Sequence, residues 1–183
     1  MYFEQAGAQN TDETLRVALE VAKGRGIRYM VVASTRGDTG LRAAKLLQGT
    51  GIKLVVVTHN TGFSQEGSQE FEDAKRSQIE QLGGKVYTGT MVLRNLGTAI
   101  RSLQSYSQQD LVANTLRMFG QGMKVCVEIV AMAADAGLIP FEDVVAVAGT
   151  SQGADTAVLI RANSSNNFFQ IKVREILAKP QDF

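Results

Sequence analysis

Hydroxyl-bearing residues and glycines are concentrated in three short polar runs, each of which follows a predicted buried strand. The runs cover 34–40, 58–62 and 149–156. Hydroxyl groups and free backbone N–H groups suit phosphate oxygens, and Arg36 adds a guanidinium that can bind an anion through two hydrogen bonds. The candidate ligand-binding residues are Ser34, Thr35, Arg36, Gly37, Asp38, Thr39, Thr58, His59, Asn60, Thr61, Gly149, Thr150, Ser151, Gly153, Ala154, Asp155 and Thr156.

The first run lies within "VVASTRGDTGLRAA" (31–44), a pattern of strand, polar turn and helix. Unpaired N–H groups and the positive end of a helix dipole at such a turn favour an anion. Gly37 permits close backbone approach, whereas the Asp38 carboxylate would repel a phosphate and is expected to bind a ligand hydroxyl or to orient Arg36. The run is neither a P-loop nor a dinucleotide fingerprint. The alternative, that its side chains only cap the helix and satisfy the turn, therefore stays open.

Acid–base chemistry has one candidate in His59, the only histidine, which ends a predicted strand. The alternative is that His59 is simply a polar residue at a strand end. The single cysteine, Cys126, lies between valines in a predicted helix and is expected to pack in the core. A lone histidine and a lone cysteine give no recognisable metal-ligand spacing and no pairing of a nucleophile with a base.

The elements that would position these residues alternate between helix and strand, which predicts βαβ units and a parallel sheet. Helices are predicted over 10–26, 38–51, 69–84, 92–104 and 109–139, and strands over 27–34, 52–60, 85–90, 143–150, 155–162 and 172–179. The last three strands are too close for helical crossovers, so at least one should pair antiparallel at a sheet edge. We therefore predict a three-layer α/β domain with helices on both faces of a mostly parallel sheet that is mixed at one edge. The three polar runs should meet where the parallel strands end.

The predicted helix over 109–139 is almost wholly apolar, so we expect it to be largely buried, with Gly120 and Gly122 bending or dividing it. A single polar stripe interrupts its apolar surface. The residues of this stripe are Arg117, Gln121, Lys124, Glu128 and Asp135. A narrow stripe on a buried helix faces either solvent, a subunit contact or a pocket, and we favour solvent or a subunit contact.

The length and net charge of the chain limit the classes of function that we expect for it. The 183 residues contain no low-complexity linker, which predicts one domain over 1–183. With 19 basic and 18 acidic residues the net charge is +1, so neither nucleic acid nor a membrane surface is an expected partner. No apolar run is long enough to span a membrane and no secretory signal is visible. Together with the single cysteine, these features predict a cytoplasmic protein.

Several stretches carry a family resemblance across nearly the whole chain: "VVAS", "GDTGLR", "VTHNTGF", "GMKVCVEIVAMAADAGLIP", "GTSQGADTAVLIRANSSNNFF" and "REILAKP". They resemble the C-terminal domain of pyruvate kinase and, more closely, a family of stand-alone prokaryotic proteins with that fold. The resemblance implies that the Ser/Thr-rich turn receives a phosphate, and that flavin mononucleotide (FMN) or another phosphorylated ligand occupies the pocket. It does not imply pyruvate kinase activity, because the catalytic barrel of that enzyme needs roughly 200 further residues.

Three function classes follow from these observations. The first, which we favour, is a binding module that senses or carries a small phosphorylated or nucleotide-like metabolite. The second is an enzyme that uses a bound flavin, or His59 as an acid–base group, in the same pocket. The third is an interaction domain whose polar turns are purely structural. We also expect a homo-oligomer, most simply a dimer, because the edge strands near the C-terminus need cover.

Overall fold

The computed structural model describes residues 1–183 and contains seven strands and six α-helices. The strands are β1 (Tyr2–Gln5), β2 (Tyr29–Ala33), β3 (Lys53–Val57), β4 (Lys85–Tyr87), β5 (Asp143–Ala148), β6 (Thr156–Arg161) and β7 (Lys172–Asp182). The helices are α1 (Thr11–Gly24), α2 (Asp38–Leu47), α3 (Asp73–Gln81), α4 (Asn95–Gln104), α5 (Gln108–Arg117) and α6 (Gln121–Asp135). Short 3-10 turns precede α1 and β7, at Ala8–Asn10 and Ser165–Gln170.

All seven strands form one sheet in the order β1-β7-β6-β5-β2-β3-β4. Strand β6 runs antiparallel to both of its neighbours, and every other pair is parallel. The predicted mixed sheet is therefore confirmed, but the antiparallel strand lies third from the edge instead of at it. The reason is β1, a strand that the sequence analysis missed, which pairs outside β7.

This edge arrangement removes the basis on which we expected an oligomer. The C-terminal strand β7 is already covered by β1, and the two strands that do form the edges are short, with four residues in β1 and three in β4. Short edge strands are one way in which proteins avoid unwanted strand pairing. The edges of this sheet therefore do not require a second copy.

The strand side chains alternate between two apolar layers, as the two-residue period of a strand demands. In β2, Met30 and Val32 pack in a cluster with α1, α2 and α3. Val31 points to the opposite face and packs in a cluster built on α6. The domain thus has helices on both faces of its sheet, and the predicted three-layer architecture is confirmed.

The apolar helix predicted over 109–139 is divided into two helices, as its glycines suggested. Helix α5 ends at Arg117 and α6 begins at Gln121, with Gly120 between them at a φ of +114°. All residues of α6 are buried except Gln121, Val125 and Asp135, which confirms the prediction of a largely buried helix. None of the helices combines the length and the apolar composition that a membrane crossing needs.

Candidate functional site

A cavity of about 610 Å³ opens where β2, β3 and β5 end. These strands are parallel neighbours, so the loops that follow them meet at one edge of the sheet. The cavity is lined by ten of the residues that the sequence singled out: Ser34, Thr35, Arg36, Asp38, Thr39, Thr58, His59, Gly149, Ser151 and Gly153. The structure thus brings together residues from all three polar runs.

The loop between β2 and α2 presents the start of a helix to this cavity. Gly37 caps α2 at a φ of +103°, and a Cβ atom there would lie 2.8 Å from Cβ of Lys75, so both the conformation and the space favour glycine. The Gly40 N–H donates to Ser34 Oγ at 3.2 Å. The N–H groups of Asp38 and Thr39 donate no hydrogen bond within the chain. The first turn of α2 therefore offers free donors and the positive end of its dipole.

One of our expectations was that Asp38 orients Arg36, and this expectation is wrong. Its carboxylate is largely exposed and accepts a hydrogen bond from Lys75 Nζ at 2.6 Å. Lys75 also contacts Glu72 at 2.8 Å, and these two carboxylates raise the pKa of the Lys75 ammonium. Because Lys75 partly neutralises Asp38, the repulsion that Asp38 would exert on an anion is weakened.

His59 is held in a fixed orientation by neighbours that the sequence did not reveal. Its Nδ1 lies 3.0 Å from Glu70 Oε2, and its ring stacks on Phe63 with centroids 3.7 Å apart. The Arg94 guanidinium lies 4.2 Å from the centre of the Phe63 ring. Burial works to raise the pKa of Glu70, but hydrogen bonds from His59 and Ser64, together with the charges of His59 and Arg36, outweigh it and lower that pKa.

The polar stripe on α6 forms a wall of the cavity, so the interpretation that we favoured from sequence, solvent or a subunit contact, is wrong. Arg117, Gln121, Lys124 and Glu128 all line the cavity. Lys124 and Glu128 are almost fully buried and form an ion pair with each other. Only Asp135 departs from this pattern, because it lies at the far end of α6 and accepts a hydrogen bond from the Ser165 N–H at 2.8 Å.

The buried ion pair also fixes the chain segment in front of α4. Glu128 Oε1 accepts a hydrogen bond from the Leu93 N–H at 2.9 Å, while its other oxygen contacts Lys124. Burial lowers the pKa of the Lys124 ammonium, and the charges of Arg117 and Arg94 lower it further, while Glu128 opposes both effects. The pair therefore ties α6 to the loop that carries Arg94 into the cavity.

The balance of charge in the cavity is positive. Five basic side chains and three acidic ones line it. Arg42 is paired with Asp12 at 3.0 Å, but the guanidinium groups of Arg36, Arg94 and Arg117 form no ion pair with any carboxylate. These three arginines come from three different loops or helix ends, and their charge is available to a ligand.

Seven of the predicted residues lie outside the cavity wall: Gly37, Asn60, Thr61, Thr150, Ala154, Asp155 and Thr156. Asp155 is fully buried, and its carboxylate accepts hydrogen bonds from the Gly7 N–H, the Thr150 N–H and the Thr156 hydroxyl at 2.8–3.1 Å. These contacts brace the third polar loop against the segment before α1. The carboxylate is thus occupied by the fold and is not free to bind a ligand.

Cys126 is in the core, as predicted, and should be unreactive in the folded protein. It is fully buried in α6, and burial followed by the charge of Asp155 raises the pKa of its thiol. We expect a water-soluble aromatic disulfide to label no thiol in the native protein and one thiol per chain in denaturant, measured by absorbance. Rapid labelling of the native protein would contradict this burial.

The fold and the cavity together define an α/β domain with a predominantly basic cavity at the carboxyl ends of its strands. A model of the family described as "Pyruvate kinase, alpha/beta domain" matches residues 12–160, and the chain belongs to that family. The resemblance noted in the sequence is thereby confirmed at the level of the family.

Solved structures of pyruvate kinase are similar to the chain at low identity. One is the crystal structure of a pyruvate kinase from Cryptosporidium parvum, at 12% identity and a TM-score of 0.44 over 83% of this chain. Another is Cryptosporidium parvum pyruvate kinase in complex with ADP, with the same identity, TM-score and coverage of this chain. The chain spans only 22% and 23% of the length of these enzymes.

Proposed function

We propose that this domain binds a small phosphorylated or nucleotide-like metabolite in the cavity at the carboxyl ends of β2, β3 and β5, as a sensor or carrier. One observation carries the proposal: the unpaired guanidinium groups of Arg36, Arg94 and Arg117 line the same cavity as the free N–H groups that begin α2. An anion would supply the counter-charge that the three guanidinium groups lack, together with acceptors for the free N–H groups. Pyruvate kinase activity is not part of the proposal, since the family model that matches the chain describes only the alpha/beta domain of that enzyme.

The phosphate would bind at the turn over 34–39. Thr35 and Thr39 supply hydroxyl groups, Arg36 is exposed and free to fold over the anion, and the first N–H groups of α2 lie beneath it. The rest of the ligand would extend toward His59 and α6. The cavity volume of about 610 Å³ lies within the range of roughly 300–1,000 Å³ that is usual for small-molecule sites.

An aromatic group on the ligand is favoured by the stacked side chains on one wall. His59 and Phe63 form a flat pair that Arg94 extends, and all three line the cavity. FMN carries both features, a phosphate and a flat aromatic system, and is therefore the first ligand to test. Riboflavin has the same ring system without the phosphate, so the difference between the two reports on the phosphate alone.

Calorimetric titration with FMN, riboflavin and a sugar bisphosphate tests the proposal. We expect a phosphorylated ligand to bind the wild type more tightly than riboflavin does. The double variant Thr35→Ala/Arg36→Ala should weaken that binding by about ten- to a hundredfold while leaving riboflavin unchanged, because each lost charge-assisted contact is worth about 1.5–3 kcal/mol. Arg16→Ala is a suitable control, since Arg16 pairs only with Glu13 and Glu20 on the surface of α1.

The possible results separate a ligand site from a structural turn. Equal affinities of wild type and double variant for a phosphorylated ligand would show that the turn only caps α2. Binding of none of the three probes would contradict the proposed ligand class. Loss of the preference for FMN over riboflavin in the double variant, with Arg16→Ala unchanged, would support it.

An enzyme that works in the same cavity is the second candidate, and the contact between His59 and Glu70 is the observation that favours it. A carboxylate on Nδ1 leaves Nε2 as the nitrogen that exchanges a proton with a ligand. Mass spectrometry of a bound ligand before and after incubation would detect a reaction. A reaction that persists in His59→Gln would exclude His59 as its acid–base group.

A further inference from the structure

Exposed large apolar side chains are concentrated on helices α4 and α5 and on the residues beside them. Only Gly97 of α4 and Ala113 of α5 are buried. Six large apolar side chains within and beside these helices are at least half exposed: Leu96, Leu103, Tyr106, Leu111, Met118 and Phe119. We call this set the α4–α5 surface. Soluble proteins rarely leave such a concentration of apolar side chains in water.

The exposed apolar residues of each helix lie along one side of it, in a stripe that Asn114 and Thr115 interrupt on α5. Leu96 and Leu103 are seven residues apart in α4, so they lie two turns apart on the same side. Leu111 in α5 and Met118 just after it show the same spacing. Leu103 is the most exposed large apolar side chain of the whole domain, at 89%. An amphipathic helix usually turns such a stripe toward a core, whereas here both stripes face solvent.

The α4–α5 surface is also nearly free of charge. Between positions 95 and 119 only Arg101, Asp110 and Arg117 are charged. Arg101 and Asp110 neutralise each other at 2.9 Å, and Arg117 contacts Asn114 and Gln121 at the cavity. A surface rich in leucine, tyrosine, methionine and phenylalanine and poor in charge has the composition of a protein interface core.

We propose that the α4–α5 surface is the contact of a symmetric homodimer. Two copies of a neutral surface meet without the like-charge repulsion that a charged patch would suffer. The six exposed side chains supply on the order of 700 Å² per copy, close to the roughly 800 Å² that each partner buries in a stable interface. The surface therefore matches both the chemistry and the size that a second copy requires.

The same surface contains both a protruding side chain and a groove. A groove of about 230 Å³ is lined by Ile100, Gln104, Tyr106, Ser107, Gln108 and Gln109. Leu103 projects from the helix that forms one side of this groove. In a two-fold contact each patch meets its own copy, so a projection and a recess on one patch can fill each other twice. A projection beside a recess on one patch therefore suits a symmetric contact between two copies.

Sedimentation velocity of the ligand-free protein over about 1 to 100 μM tests the proposal independently of any cavity ligand. We expect a species of twice the 19.8 kDa chain mass. Leu103→Asp and Leu111→Asp should each raise the dimer dissociation constant at least tenfold, because each buries a charge at the contact. Phe169→Asp is the matched control, since Phe169 is 80% exposed but lies outside this surface.

Circular dichroism of each variant keeps the result interpretable, since all three positions are exposed and their variants should stay folded. A wild type that remains monomeric at the highest concentration would overturn the proposal. A dimer that persists in both leucine variants would place the contact elsewhere and overturn the proposal. So would a dimer that Phe169→Asp weakens as much as the leucine variants do.

Discussion

Replacing Glu128 by alanine should lower the free energy of unfolding by about 3–5 kcal/mol, as is usual when one partner of a buried ion pair is removed. The Lys124 ammonium, 3% exposed, would lose its counter-charge while Arg94 and Arg117 remain nearby. The Leu93 N–H would lose its acceptor as well. Urea unfolding followed by circular dichroism measures the change.

A double variant separates the ion pair from simple packing. Lys124→Met/Glu128→Leu removes both charges and keeps apolar volume, so it should be clearly more stable than Glu128→Ala. It should not fully reach the wild type, because the Leu93 N–H remains without its acceptor. A loss below about 1 kcal/mol in Glu128→Ala would mean that water reaches Lys124 and that the pair is not buried in solution.

Substituting alanine for Gly122 should destabilise the domain by about 3 kcal/mol, at the upper end of the usual cost of overpacking. Gly122 lies in the first turn of α6, where the helix touches the start of β6. A Cβ atom would lie 2.5 Å from Cβ of Thr156 and 3.1 Å from Oδ1 of Asp155. Thr156 cannot easily move, since its hydroxyl donates to Asp155 at 2.8 Å and both residues are buried.

Gly24→Ala is the matched control for this overpacking. Gly24 ends α1, and a Cβ atom there meets nothing within 4 Å. The same substitution should therefore be neutral or stabilise the domain by up to about 1 kcal/mol through helix propensity. Thermal unfolding of both variants compares them directly. Equal unfolding temperatures would show that α6 can shift away from β6 without cost.

The sequence was sufficient to predict the half of the site that the three polar runs form, because a general rule places such runs at one edge of the sheet. Parallel strands end at a common edge, so three polar runs after three strands had to approach one another whatever their detailed conformation. The capping role of Ser34 and the burial of Cys126 follow from equally local patterns. For these residues, the hydrophobic period and the neighbouring residues in the sequence are enough to predict where the side chain lies.

The other half of the site depends on contacts that no local pattern contains. From sequence, the stripe that holds Lys124 and Glu128 could face either solvent or a subunit contact, or a pocket. It faces a pocket because the loop through Leu93, whose N–H donates to Glu128, covers it. Arg94 belongs to no periodic pattern, and Glu70 reaches His59 from a separate loop. Asp155 has the type and position of a ligand-binding carboxylate, but its donor at Gly7 is 148 residues away in the sequence.

The pairing of β1 with β7 determines when the cavity can be completed during synthesis. Tyr2 lies opposite Lys179 and Gln5 opposite Asp182, so the first strand has no partner until the last one has been translated. Gly7, two residues after the end of β1, is also a donor to the Asp155 carboxylate, which braces the third polar loop. Contacts of such sequence separation form slowly because a long loop must close first. We therefore expect the wall over 149–156 to gain its support from Gly7 only once β7 is available to hold β1 in place.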